Sequence, residues 1–252
     1  MHIGHEKTSY SNMLGGVQMK KEKYEGFKRR VGKFETPEYN VKDEYLKPSN
    51  AVREKVNEQN LLNPFFGDTV VFNFNNIIRK WIFEIISELY AKAPECFCEQ
   101  FNENTVHLTL HDLSSSPVSK DVEADVWINE AKVREIKKHI VVPEIKMKTN
   151  YIINMNHTSL VLAMVPVNRT EYEKLMQLYY LFDDVRSLPY KLTPHVTLGY
   201  YNRNGFDKNS ILKLSSLVRD LNRQCCFETV LGDLLYQHFT SMNRFETIIK
   251  LS

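Results

Sequence analysis

Cysteine is scarce in this chain. Only Cys96, Cys98, Cys225 and Cys226 occur in 252 residues, too sparse for a disulfide framework at this size. Neither the C-x-C pair nor the adjacent pair has the C-x2-C spacing of a common zinc site. Reduced thiols and a cytoplasmic location are expected, with no metal and no cofactor. Long apolar runs are lacking too. Nothing approaches the roughly 20 consecutive apolar residues of a membrane-spanning helix. Residues 1–20 contain no apolar stretch of the kind a secretory signal carries. Charge of one sign is also missing. The formal net charge of +2 gives no global basic character that would announce a polyanion partner.

The charge that is present is unevenly placed. Residues 1–60 carry 12 Lys/Arg against 9 Asp/Glu, a net of +3, and the remainder a net of −1. That first quarter is polar and interrupted by Gly15, Gly16, Gly26, Gly32, Pro37 and Pro48. Its apolar periodicity is poor, so short helices and loops draped over a core, or partial disorder, are expected there. The domain organisation expected is a basic extension over 1–60 and a globular domain over 61–252.

Within that domain the apolar pattern alternates between periods. Residues 69–74 read as a β-branched and aromatic strand. Residues 76–91 read as an amphipathic helix, with Ile77, Ile78, Trp81, Ile82, Ile85, Ile86 and Leu89 at three- and four-residue steps. A strand over 105–113 follows, then a serine-rich loop over 114–119, read either as a lid over the cleft or as a plain linker, then a helix over 125–139. Strands are expected over 144–154 and 159–167, and a helix over 170–182 opened by a capping box at Thr170 and Glu173. The rest reads as a strand over 191–201, a helix over 208–223 and a closing hairpin. The order strand–helix–strand thus occurs twice. Val71 to His107 spans 36 residues and Leu162 to His195 spans 33, which points to an internal duplication. The expected fold class is α+β: two pseudo-symmetric lobes, each an antiparallel sheet with helices outside, and a central cleft between them.

The third element of each half carries the same tetrapeptide pattern. His107-Leu108-Thr109-Leu110 lies in the first, and His195-Val196-Thr197-Leu198 in the second. Side chains alternate along a strand, so His107 and Thr109 share one face, as do His195 and Thr197, while the aliphatic members anchor the strand. If a pseudo-twofold axis relates the halves, two imidazoles flank one substrate. Cleavage of a phosphodiester needs one neutral histidine to take a proton from the attacking oxygen and one protonated histidine to give a proton to the leaving oxygen. An unperturbed pKa near 6.5 suits histidine to both tasks. The threonine hydroxyls can donate to the non-bridging phosphate oxygens, and the scheme needs no metal.

Two such motifs, 88 residues apart and each at the end of the same strand–helix–strand order, resemble the paired signatures of the 2H phosphoesterase superfamily, the LigT-like proteins. The resemblance runs from about residue 64 to the end and includes Leu234-Leu235-Tyr236 and Phe245-Glu246-Thr247 as the last two strands. It implies a phosphodiesterase acting on a 2′,3′-cyclic phosphate, a 2′–5′ linkage or a cyclic nucleotide. It implies His107 and His195 as catalytic residues, with Thr109 and Thr197 on the phosphate. A nucleotide or oligonucleotide is the expected partner of a monomer; a binding module for the same ligands, without turnover, is the alternative. Tyr201 shares the His195 face and offers a ring on which a base can stack, a packed strand tyrosine being the other reading. His111 shares the His107 face and is expected at the rim. Asp183 and Asp184, at a helix end, are expected to be solvated.

Overall fold

A computed structural model of the chain describes residues 21–35 and 43–252. The first helix, α1 (Tyr24–Val31), buries Phe27 and Val31. A two-residue strand β1 (Tyr45–Leu46) and a short helix α2 (Asn50–Lys55) follow. Then come β2 (Phe66–Phe72) and α3 (Asn76–Lys92), the helix capped by the Asn75 side chain, which accepts from Ile78 N at 3.0 Å. The next elements are β3 (Leu108–Ser116), α4 (Ser119–Lys137), β4 (Lys146–Met155), β5 (Ser159–Pro166) and α5 (Arg169–Asp183). The chain closes with β6 (His195–Tyr200), β7 (Phe206–Asp207), α6 (Lys208–Gln224), β8 (Glu228–Val230), β9 (Leu234–Ser241) and β10 (Arg244–Lys250).

Two four-stranded sheets form, in the orders β10-β9-β2-β3 and β6-β5-β4-β8, and every pairing in them is antiparallel. The α+β class and the two lobes are as expected. In each sheet the motif strand, β3 or β6, is an edge, and its neighbour is the strand that opens the strand–helix–strand unit. The two edges approach each other. The cleft therefore lies where the sheets meet.

A core shared by both lobes fills the space beneath. Ile82, Ile86 and Leu89 of α3 are fully buried, as are Leu108 and Leu110 of β3 and Leu162 and Leu198 of the second sheet. Each such side chain removed from water contributes about 1.5–3 kcal/mol. Phe27, Val31 and Leu46, all from the first sixty residues, belong to this core. Val52 and Val56 form a smaller cluster with Cys98, Phe101 and Tyr200. Residues 1–20 and 36–42 of that expected extension lie outside the described residues.

Two expectations are corrected. Residues 114–116 are strand, neither lid nor linker loop: Ser114 pairs with Asp68 in β2, and its N–H donates to the buried Asp68 carboxylate at 2.9 Å. A run of serines resembles a loop by composition, but here a buried acceptor holds it in the ladder. Helix α5 starts earlier than the capping box implied. Asn168 is its cap, accepting from Glu171 N at 3.0 Å. Glu171 instead accepts from Lys146 N at 2.7 Å.

Candidate active site

The motif strands hold their histidines in matching ways. His195 Nδ1 lies 2.7 Å from the carbonyl of Thr193, two residues upstream. The backbone of Thr105, also two residues upstream, acts on His107 and raises its pKa. A ring nitrogen donating to a fixed carbonyl sets the tautomer and turns the other nitrogen outward. The repeated unit is thus six residues, T-x-H-x-T-L, from Thr105 to Leu110 and from Thr193 to Leu198. The outer threonine was legible in the sequence at the same spacing in both halves.

Both imidazoles are half-buried. Burial pushes His107 down to about 4, against the raising influence of the Thr105 hydrogen bond and the Asp112 charge, and the neighbouring His195 lowers it further. Burial also lowers His195, opposed by Thr193 and Asp112 and assisted by the Lys55 charge. His107 therefore senses His195, and both rings sense the Asp112 charge. Thr109 and Thr197 are half-buried beside them, and no described group engages either hydroxyl. The Phe245 ring meets His107 edge-on at 5.0 Å and forms one wall.

Past the threonines the alternation changes. In the pairing of β2 with β3, Val70 faces His111 and Val71 faces Thr109, so Leu110 is an extra residue. In the pairing of β5 with β6, Leu160 faces Gly199 and Val161 faces Thr197, so Leu198 is extra. Each motif ends in a β-bulge at its fourth residue, and a bulge reverses which face the following residues occupy. The consequences are parallel in the two lobes. His111 turns toward α5, its ring centroid 4.9 Å from that of Tyr179. Gly199 turns toward α3, where a Cβ would stand 2.8 Å from the Tyr90 hydroxyl. The residues after them, Asp112 and Tyr200, take the side that His111 and Tyr201 were expected to take.

Tyr201 is accordingly not a stacking platform. It is fully buried, its ring stacked on Phe97 at 6.1 Å and its hydroxyl 3.1 Å from Asn154 Oδ1. His111 is not at the rim either; its side chain is wholly buried, with Nε2 3.5 Å from Asp183 Oδ1. Asp183 is not merely solvated, because it accepts from Leu188 N at 3.2 Å.

Two charged residues at the cleft fall outside the motifs. Asp112 is exposed, accepts from the Tyr190 hydroxyl at 3.0 Å, and influences both motif histidines and Lys55. Lys55 comes from the end of α2. Its Nζ lies 3.4 Å from the Tyr200 hydroxyl and 5.1 Å from the centre of the Phe65 ring. Burial works to lower the Lys55 ammonium, but Tyr200 and Asp112 outweigh it and hold it above the ordinary lysine range. Lys55 is therefore a cation at neutral pH. No local pattern marks either residue, because tertiary folding alone brings them beside the histidines.

All four cysteines are free thiols, and burial pushes Cys96 and Cys98 up to about 12. Among the described residues, no cluster of three or more His, Cys, Asp or Glu is arranged to hold a metal ion. No helix among them is long and apolar enough to cross a membrane.

The sequence matches no protein-family model and no curated protein. Solved structures do match. ATU0111, a conserved protein of unknown function from Agrobacterium tumefaciens str. C58, gives a TM-score of 0.67 at 11% identity, over 82% of this chain and 94% of that one. At that identity the likeness is one of fold. E. coli LigT complexed with 3′-AMP also matches, with a TM-score of 0.45 at 14% identity over 74% of this chain and 97% of that one. TT0787 of Thermus thermophilus gives 0.43 at 11% identity, over 73% and 95%.

Proposed function

We propose that the chain is a metal-independent phosphodiesterase of the 2H type. Its substrate is a nucleotide or RNA-end phosphodiester: a 2′,3′-cyclic phosphate, a 2′–5′ linkage or a cyclic nucleotide. The observation that carries this reading is the doubled T-x-H-x-T-L strand, which occupies the facing edges of both sheets and sets each imidazole against the backbone of the threonine two residues upstream.

In this scheme one imidazole takes the proton of the attacking water or hydroxyl through its free nitrogen. The other, as imidazolium, protonates the leaving oxygen. Thr109 and Thr197 donate to the non-bridging oxygens, where negative charge accumulates. Lys55 supplies a fixed positive charge for the phosphate. Asp112 favours the imidazolium form of both rings and offsets the charge of Lys55.

The test is a panel of 2′,3′-cyclic mononucleotides, 2′–5′ oligoadenylates and cyclic di- and trinucleotides, with products mapped by mass spectrometry. His107→Ala and His195→Ala are each expected to lower kcat by about 10²- to 10⁴-fold, the contribution of one positioned acid or base. EDTA is expected to leave the rate unchanged. Full activity in the double variant would overturn the proposal, and tight binding with no product from any member would replace it with a binding module.

A further inference from the structure

A cavity lies where residues 45–58 meet the turn at Arg203 and Asn204. It encloses about 590 Å³, and its walls include Tyr45, Lys47, Arg53, Glu58 and Arg203. Three cations thus face one carboxylate. Among the described residues, neither Lys47 nor Arg53 has an ion-pair or hydrogen-bond partner for its side chain. Tyr45 leaves half of its surface open to solvent.

The walls are firmly built. Arg203 Nη1 donates to the carbonyls of Arg53 at 2.9 Å and Val56 at 2.7 Å, fastening α2. Arg203 N donates to Asn60 Oδ1 at 2.9 Å. Strand β1 pairs with β7, Tyr45 opposite Asp207. Gly205 ends the turn from β6 into β7 at a φ of +78, and a Cβ there would stand 2.2 Å from the Leu46 carbonyl oxygen.

The cavity is joined to the cleft by a single short element. Helix α2 carries Arg53 into the cavity wall and Lys55, two residues later, to the Tyr200 hydroxyl. On the other side, Arg203 follows Tyr200 by three residues. Lys55, beside the Tyr200 hydroxyl, and Arg53 and Lys47, on the cavity wall, thus lie within nine residues of chain. Spaced cations beside an exposed aromatic ring are what a single-stranded nucleic acid requires: charges for successive phosphates and a face for a base.

We propose that this cavity is a second phosphate-binding subsite, and that the protein takes a single-stranded oligonucleotide whose reacting phosphodiester lies in the cleft and whose chain continues over Lys47 and Arg53. This rests on the phosphodiesterase reading for the position of the reacting phosphate, while the subsite can be measured without turnover.

The experiment uses the full chain and fluorescein-labelled single-stranded RNA from dinucleotide to octanucleotide, followed by fluorescence anisotropy across a salt series. The variant is K47Q/R53Q, chosen because Lys47 and Arg53 are exposed. Binding is measured in a His107→Ala background as well as in the parent, so a failure of the catalytic reading leaves this measurement intact. The octanucleotide is expected to bind about tenfold more weakly to K47Q/R53Q, with the salt slope flattened by roughly 1.4, the value for two phosphate contacts on a single strand. Dinucleotide affinity and kcat/KM for the shortest substrate are expected to stay unchanged. Equal octanucleotide affinity and slope in parent and variant would overturn the subsite, as would an equal loss for short and long ligands. Binding of polyglutamate without binding of RNA would overturn it in favour of an acidic peptide.

Discussion

His107 and His195 share a cleft with one carboxylate and one ammonium, so their protons are not independent. Interacting groups titrate as a pair, with apparent pKa values that belong to the pair. Both members are lowered from 6.5, chiefly by burial. In the proposed scheme the active form holds one proton on the pair. Above both apparent values the pair is empty, and kcat/KM is expected to fall tenfold for each pH unit. Below both it is doubly protonated, the base is lost, and the rate falls again. The maximum in kcat/KM is therefore expected on the acid side of 6.5. Asp112→Asn removes a charge that raises both rings, so the optimum is expected to move to lower pH. Lys55→Gln removes a charge that lowers His195, so the optimum is expected to move up. A profile centred above neutrality, or one that ignores both substitutions, would contradict this account.

The bulges decide the site at the level of the strand. Alternation is a local rule, and it places His107 with Thr109 and His195 with Thr197 from sequence alone. It fails from the fourth motif residue onward, because an extra residue at Leu110 and Leu198 is set by pairing with β2 and β5. No residue type announces it. Hence alternation puts Tyr201 and His111 on the wrong face and passes over Asp112 and Tyr200. The strand reaching Ser116 escapes a local reading for a related reason, since its ladder is held by Asp68, 46 residues away. What was legible was periodicity and repetition; what was not was register and long-range charge. The two tyrosines separate these cases. Tyr201→Ala empties a fully buried ring site and is expected to cost about 3–5 kcal/mol in urea unfolding. Tyr200→Phe removes only the hydroxyl that meets Lys55 Nζ and the Met242 sulfur. It is expected to raise KM with little change in the unfolding midpoint. The reverse pattern would place Tyr201, not Tyr200, at the cleft.

Across the whole molecule, the lobes are tied together at the residues that follow the first motif. His111 meets Asp183, Tyr190 donates to Asp112, and Arg186 Nη1 donates to Ser114 Oγ at 2.9 Å. Each tie crosses from β3 to α5 or to the connection between α5 and β6, so the position of one motif strand constrains the other. The N-terminal segment adds a further tie. Arg30 of α1 donates through Nη1 to Thr193 Oγ1 and through Nη2 to the Leu192 carbonyl, both at 2.7 Å. Glu22 and Arg30 form an ion pair at 2.8 Å, and burial of Glu22 is outweighed by Arg30 and Lys191, which hold its carboxyl below the usual range. Thr193 is the residue whose carbonyl orients His195. Arg30 thus acts on the cleft through the backbone of the second motif, as a positioning residue that touches no substrate. Charged hydrogen bonds of this kind contribute about 1.5–3 kcal/mol each, and less where solvent reaches them. Arg30→Ala is expected to lower stability by about 1–3 kcal/mol. It is also expected to lower kcat while leaving KM in place, because the phosphate contacts proposed for Thr109, Thr197 and Lys55 do not depend on it. A purely structural role would lower the unfolding midpoint without changing kcat in the fraction that remains folded, and steady-state kinetics well below that midpoint distinguishes the two.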